Sequence, residues 1–104
     1  MHVEVKICGL TDGAGVAAAC EAGADLVGFV FFPPSPRNVT PSQAAALVEG
    51  CRGHARPVAL TVDADDALLD EIVATLSPDF LQLHGRETPE RCAALRRRYA
   101  LPVI

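Results

Sequence analysis

The chain has no cysteines paired at C-x-x-C spacing, no glycine-rich phosphate loop, no basic stripe and no apolar run long enough to cross a membrane. Each absence excludes a class of function. Cys8, Cys20, Cys51 and Cys92 stand far apart, and the three histidines do not gather around them, so no metal site is expected. No G-x-G-x-x-G or P-loop is present. Nine Lys and Arg against thirteen Asp and Glu, a net charge of −4, argue against a nucleic-acid partner. The densest basic run, Arg91 to Arg98, closes on Arg96, Arg97 and Arg98 and reads as a solvated helix end, where cations complement the helix dipole. The first residues already alternate like a strand, so nothing resembles a signal peptide, and no membrane partner is expected. A reducing, cytoplasmic setting follows, with Cys20, Cys51 and Cys92 read as small buried hydrophobes.

What is present is a regular alternation. Half of the 104 residues are apolar, enough for one small domain spanning 1–104, although a parallel βα architecture usually needs more chain to close. Strand-like runs fall at Val3–Ile7, Leu26–Phe31, Pro57–Val62 and Phe80–Leu83, and Pro102–Ile104 begins a fifth. Helical patterns lie between them. One follows Thr11-Asp12 with Val16, Ala19 and Cys20 on a single face and stops at Gly23. A second opens at Thr40-Pro41-Ser42-Gln43, with capping-box spacing, and runs to Gly50. A third starts near Asp65 and turns Leu68, Leu69, Ile72, Val73 and Leu76 toward a sheet; a fourth opens at Thr88-Pro89 and carries Cys92, Leu95 and Tyr99. The longest irregular piece, Phe32 to Val39, holds three prolines and reads as an ordered binding loop.

This alternation predicts a parallel sheet with crossover helices. Period-two alternation puts Val5 and Ile7 on one face of strand one and Lys6 and Cys8 on the other. In strand four it separates Leu81 and Leu83 from Phe80, Gln82 and His84. Aliphatics facing helices and polar groups facing inward suit a (β/α) barrel of TIM type, whose inner residues converge on a mouth at the carboxyl ends of the strands. The chain would supply four βα units and the start of strand five.

Chemistry is expected at those ends. Cys8, followed by Gly9, could serve as base or nucleophile if a cation or a helix N-terminus favours its thiolate; Lys6 and the N–H groups after Thr11 are the candidates for that help. The alternative reading of Cys8 is a buried structural cysteine. Arg37, closing the proline-stiffened loop, is suited to clamp a carboxylate through two parallel hydrogen bonds, or else is a solvated loop arginine. Gln82 and His84 could bond to a substrate, or His84 could be structural. Asp63, ending strand three, could be an acid; the other reading is that it, or Asp65, caps the third helix.

Four runs, Val5-Lys6-Ile7-Cys8-Gly9-Leu10-Thr11, Ala22 to Phe31, Ser35-Pro36-Arg37 and Leu81-Gln82-Leu83-His84-Gly85, taken in this order, resemble the amino-terminal half of the phosphoribosylanthranilate isomerases of tryptophan biosynthesis. The resemblance implies an intramolecular Amadori rearrangement, without cofactor or metal, of N-(5-phosphoribosyl)anthranilate to its 1-deoxyribulose phosphate isomer. It casts Cys8 as the general base, Arg37 as the holder of the anthranilate carboxylate, and Gln82 and His84 as substrate-positioning groups. The family's general acid, an aspartate ending strand five, falls beyond Ile104, so no residue of this sequence takes that role; nor does any take the later phosphate-binding loops. The chain is therefore expected to be a fragment of a longer barrel, or to pair with another copy or a completing half. Two further readings stand beside the isomerase: a different phosphosugar enzyme such as a Schiff-base aldolase using Lys6, and a non-catalytic half-barrel acting as an assembly module.

Overall fold

In the computed structural model, which describes residues 4–51 and 53–104, each helix starts where a side chain can take up a free backbone N–H. The helices are α1 (Gly13–Glu21), α2 (Pro41–Val48), α3 (Asp66–Leu76) and α4 (Pro89–Tyr99). Asp12 accepts from Gly15 N at 2.7 Å, Asp65 from Leu68 N at 2.9 Å and Thr88 from Arg91 N at 3.1 Å. Before α2 the bonding is reciprocal: Thr40 Oγ1 accepts from Gln43 N at 3.1 Å and Gln43 Oε1 accepts from Thr40 N at 2.9 Å. Pro41 and Pro89 fill first-turn positions, where no N–H is needed. Helix α2 ends at Val48 and tightens into a 3₁₀ turn, Glu49–Cys51, instead of running helically to Gly50.

Between the helices lie β1 (Lys6–Cys8), β2 (Leu26–Phe31), β3 (Arg56–Thr61) and β4 (Phe80–Leu83), all parallel and in the order β1-β2-β3-β4. Each new strand is added on the same side, the order a barrel requires. Parallel partners share a face, so the pairings Phe29↔Ala59↔Leu81 and Phe31↔Thr61↔Leu83 put Phe29, Phe31, Ala59 and Leu81 on the face that meets the helices. These residues are buried with Val16, Ala19, Ala44, Val48, Ile72 and Leu76 in one continuous core. The opposite face carries Lys6, Cys8, Gly28, Val58, Leu60, Phe80 and Gln82.

That sheet is strongly curled. Two strands separate β1 from β4, and flat spacing would hold the two roughly 14 Å apart. Lys6 of β1 nevertheless donates from Nζ to Gln82 Oε1 of β4, across the concave face. A fifth strand has begun: Val103 bridges to Leu81, with Leu81 N donating to Pro102 O at 3.0 Å and Ile104 N to Leu81 O at 2.8 Å. Among the described residues no helix is long and apolar enough to cross a membrane.

Several expectations need correction. Strand β1 begins at Lys6, not Val3, which lies outside the described residues. Val5 is held differently, its N–H donating to Asp25 Oδ2 at 2.8 Å and its carbonyl accepting from Asp25 N and Leu26 N. Strand β3 is shifted one residue earlier than read, because Arg56 N already donates to Asp25 O at 2.9 Å. The aliphatics on the outer side of β1 are not covered by a helix: Ile7 in the strand is 38% exposed and Val5, just before it, 45%, since β1 is an edge strand. The concave face is also less polar than read, with Leu26, Val58, Leu60 and Phe80 between the polar groups. Finally, Cys20 and Cys51 are not separate hydrophobes. They form a disulfide, with Cα atoms 6.4 Å apart, joining the end of α1 to the 3₁₀ turn.

Candidate active site

Cys8 is the last residue of β1 and lies beside Gly28 of β2 in the parallel register. Its thiol leans over that glycine. A methyl group at position 28 would stand 2.8 Å from Cys8 Sγ and 3.3 Å from its Cβ and Cα, inside any normal contact distance. Gly28 therefore makes the space the thiol occupies, which is the usual meaning of a glycine inside an apolar strand. The next two residues are tied down as well: Gly9 N and Leu10 N both donate to Gly28 O, at 3.0 and 3.3 Å.

Gly9 has φ of +81°, a left-handed conformation open to glycine. What approaches it closely is Arg37. A Cβ at position 9 would stand 2.5 Å from Arg37 Cδ and 3.1 Å from Nε. The loop that carries Arg37 is folded back on β2 by successive bonds. Ser35 N donates to Phe32 O at 2.8 Å, Asn38 N to Ser35 O at 3.1 Å and Val39 N to Val30 O at 3.0 Å, while Arg37 N donates to Ser35 Oγ at 3.1 Å. The expectation of an ordered loop thus has a physical basis, and the loop delivers a guanidinium to the residue next to the thiol. Cys8 and Arg37 are both exposed.

Gln82 and His84 are brought to the same end of the sheet from β4. Gln82 is half-buried on the concave face and committed to Lys6. His84 is exposed just past the strand, its N–H donating to Thr61 O at 2.9 Å. Of the two helpers proposed for Cys8, Lys6 is engaged and one N–H at the start of α1 is taken. Lys6 is bonded to Gln82, which holds its amine across the concave face on the β4 side. At the start of α1, Asp12 occupies the Gly15 N–H.

Sequence reasoning missed a clasp between the next two loops. Asp65 caps α3, whereas Asp63 sits at φ of +48° and accepts from Arg86 N at 2.7 Å. Glu87 accepts from Asp63 N at 2.9 Å and from Gly85 N at 2.8 Å, so one carboxylate gathers both loops. Gly85 is needed for this approach, because a Cβ there would meet Asp63 Cγ at 2.6 Å. The signal in the sequence was Gly85 directly after His84, but its counterpart lies 22 residues earlier, at Asp63, and no local pattern connects them. Asp63 is thus a structural residue of the mouth, neither cap nor free acid.

Chemically, the strand ends offer a reachable thiol, a guanidinium fixed beside it, and amide and imidazole groups on the far side. Such a set can hold a small anion and move a proton on it. Among the described residues no three His, Cys, Asp or Glu side chains stand close enough together to hold a metal ion.

Comparison with known proteins gives this geometry its context. The family model described as N-(5'phosphoribosyl)anthranilate (PRA) isomerase matches residues 5–104. The N-(5'-phosphoribosyl)anthranilate isomerase of Paramagnetospirillum magneticum is 59% identical over 104 residues, covering 100% of this chain and 48% of that relative. Phosphoribosyl anthranilate isomerase from Thermotoga maritima superposes with a TM-score of 0.90 at 31% identity, covering 98% of this chain and 49% of that one. A further isomerase structure, in complex with reduced 1-(o-carboxyphenylamino)-1-deoxyribulose 5-phosphate, superposes with a TM-score of 0.89 at 31% identity, over 98% of this chain and 52% of that one. The chain thus spans about half the length of the relatives it matches, and its four βα units follow the (β/α)₈ fold of those structures. From strand order, register and sequence match together, the chain belongs to the N-(5'-phosphoribosyl)anthranilate isomerase family.

Proposed function

We propose that residues 1–104 form a single folding unit that supplies the base and carboxylate-binding side of a phosphoribosylanthranilate isomerase, acting in the cytoplasm in tryptophan biosynthesis. The observation that carries this reading is the placement of Cys8 Sγ over Gly28 with Arg37 packed on the adjacent Gly9. The ligand in the related complex has an aromatic carboxylate joined to a phosphosugar, a shape with an anion at each end. Arg37 suits the carboxylate, since a guanidinium can donate two parallel hydrogen bonds to it. Cys8, one residue from Gly9, then faces C2 of the sugar, next to the carbon that bears the anthranilate nitrogen.

The reaction begins with two proton transfers. Protonation of the ribose ring oxygen opens the ring to an iminium, and removal of the C2 proton then gives an enolamine that tautomerises to the ketone. Cys8 is the base for the second step; the iminium makes that proton acidic, so a thiolate suffices. The first step needs an acid across the sugar, because one group cannot donate and accept from opposite sides at once. The family resemblance assigns it to an aspartate ending strand five, outside this sequence. Gln82 and His84 line the side of the mouth toward that strand and position the substrate, with Gln82 acting through its bond to Lys6.

Turnover of phosphoribosylanthranilate, followed by the fluorescence of its anthranilate ring, tests the reading in the barrel that carries the strand-five aspartate. Replacing Cys8 with Ala should lower kcat by about 10²–10⁴-fold, the usual contribution of a general base. Full activity in Cys8→Ala, with the fold retained by circular dichroism, would falsify the assignment. A second reading, a non-catalytic module that associates through its sheet edges, is favoured by one observation: Ile7 of β1 and Val5 just before it stay exposed.

A further inference from the structure

We propose that the Cys20–Cys51 disulfide is a thiol–disulfide exchange site, opened by a small-molecule thiol that attacks Cys20. The bond spans 31 residues and fastens the last turn of α1 to the 3₁₀ turn after α2. Its two sulfurs are unequal. Cys51 is fully buried, whereas Cys20 is only half-buried. Two open depressions meet at Cys20. One, of about 240 Å³, is walled by Val16, Ala17, Ala46 and Gly50; the other, of about 360 Å³, is walled by Ala17, Glu21, Gly50 and His54. Cys20 lines both depressions and so can be approached from the surface, while Cys51 is shielded by the core around Val48 and Ala55.

Exchange then has a defined order. A thiolate of the glutathione class attacks Cys20 Sγ, the Cys20–Cys51 bond breaks, and Cys51 leaves as a thiolate that takes up a proton. A second thiol attacks the mixed disulfide on its outer sulfur, releasing Cys20 as a thiol and the small molecule as its own disulfide. Two thiols are oxidised and one protein disulfide is reduced, so electrons and protons balance. In reverse, a small-molecule disulfide closes the clamp. Sites of this kind in reducing compartments are generally transient or redox-sensing. The clamp lies at the far ends of the helices that begin beside Cys8 and Arg37, so its first effect is on how firmly α1 is held against α2.

The test needs no isomerase activity. The folded, air-oxidised chain should titrate two thiols, Cys8 and Cys92, and all four cysteines after reduction. Reduction should add about 2 Da, two hydrogens, and lower the thermal midpoint by roughly 10 °C or more for a loop of this length. In Cys51→Ser, oxidised glutathione should leave its adduct on Cys20 by peptide mapping. Four free thiols in the air-oxidised folded chain, a midpoint unmoved by reduction, or adducts on Cys8 alone would each overturn the proposal. If Cys51→Ser does not fold, native chain held in graded glutathione buffers and quenched with acid gives the same answer, through the fraction carrying the bond.

Discussion

At the scale of single residues, three glycines decide where the groups at the strand ends stand. Gly28 leaves room for the Cys8 thiol, Gly9 for the Arg37 side chain and Gly85 for Asp63. The neighbours differ in how far they can yield. At Gly28 the crowded atoms include Cys8 Cα and Cβ, so rotating the thiol away cannot fully relieve a methyl group. Gly28→Ala should therefore destabilise by about 1–3 kcal/mol, measurable by urea unfolding, the range for overpacking a well-filled site. In the full barrel it should also lower kcat by roughly 10–100-fold with KM little changed, because a base displaced by about 1 Å loses its alignment. An unchanged kcat would mean the thiol position is not set by Gly28. Gly9→Ala acts on the other partner. It meets a positive φ and the Arg37 stem together, and should raise KM more than it lowers kcat. The positions of Cys8, Arg37 and His84 at one end of the sheet were legible in the sequence because each stands at the end of an apolar strand or a proline-stiffened loop. The glycine that seats the thiol was hidden, since Gly28 looks like an ordinary member of a buried strand until its register with Cys8 is known.

At the scale of elements, the helix starts were legible and the links between elements were not. Asp12, Thr40, Asp65 and Thr88 bond to backbone three residues away, so spacing alone identifies them. The Glu87 clasp and the Cys20–Cys51 bond join segments 24 and 31 residues apart, and only the packed fold brings them together. Glu87→Ala leaves the N–H groups of Asp63 and Gly85 without their acceptor and should cost about 1–2 kcal/mol in denaturant unfolding. A second link is electrostatic. Arg98, read as part of a solvated helix end, reaches from α4 to Asp70 of α3 at 2.9 Å, and Tyr99 Oη donates to the same carboxylate at 2.6 Å. The hydrogen bonds from Arg98, then from Tyr99, hold the Asp70 carboxyl below the ordinary carboxylate range. A carboxyl whose folded value is depressed stabilises the fold above its unfolded value, near pH 4, and loses that contribution as pH falls through the lower folded value. Thermal midpoints of the native chain and Asp70→Asn should therefore differ at neutral pH and converge as the pH falls through the depressed folded value. A constant gap across that window would show the pair to be uncoupled from folding. Because the pair is exposed, the gap should be small and should shrink in high salt.

At the scale of the whole molecule, the curl of the sheet and the state of its edges point the same way. Lys6 and Gln82 touch across the concave face because the sheet is already bent as in a barrel, and Val103 has begun a strand beyond β4. The edge at β1 is a different matter. Its backbone is paired on one side only, and Val5 and Ile7 present apolar surface beside it. An unpaired edge flanked by aliphatics is a surface that natural proteins cover or charge. Barrel geometry was legible from alternation in β1 and β4, but the exposure of Val5 and Ile7 was not, since the same pattern describes a strand with or without a helix laid over it. Sedimentation of the 104-residue chain should therefore depend on concentration, with self-association through the β1 edge. Ile7→Lys, which charges the edge without touching Cys8 on the opposite face, should shift the chain toward monomer while its circular dichroism is retained. Addition of the carboxyl-terminal half of a family relative should suppress association in the native chain, if that half covers the same edge as closure of the barrel demands. Association that survives Ile7→Lys would move the contact to the β4 side, where Ile104 is exposed, and would leave β1 free to meet a completing half.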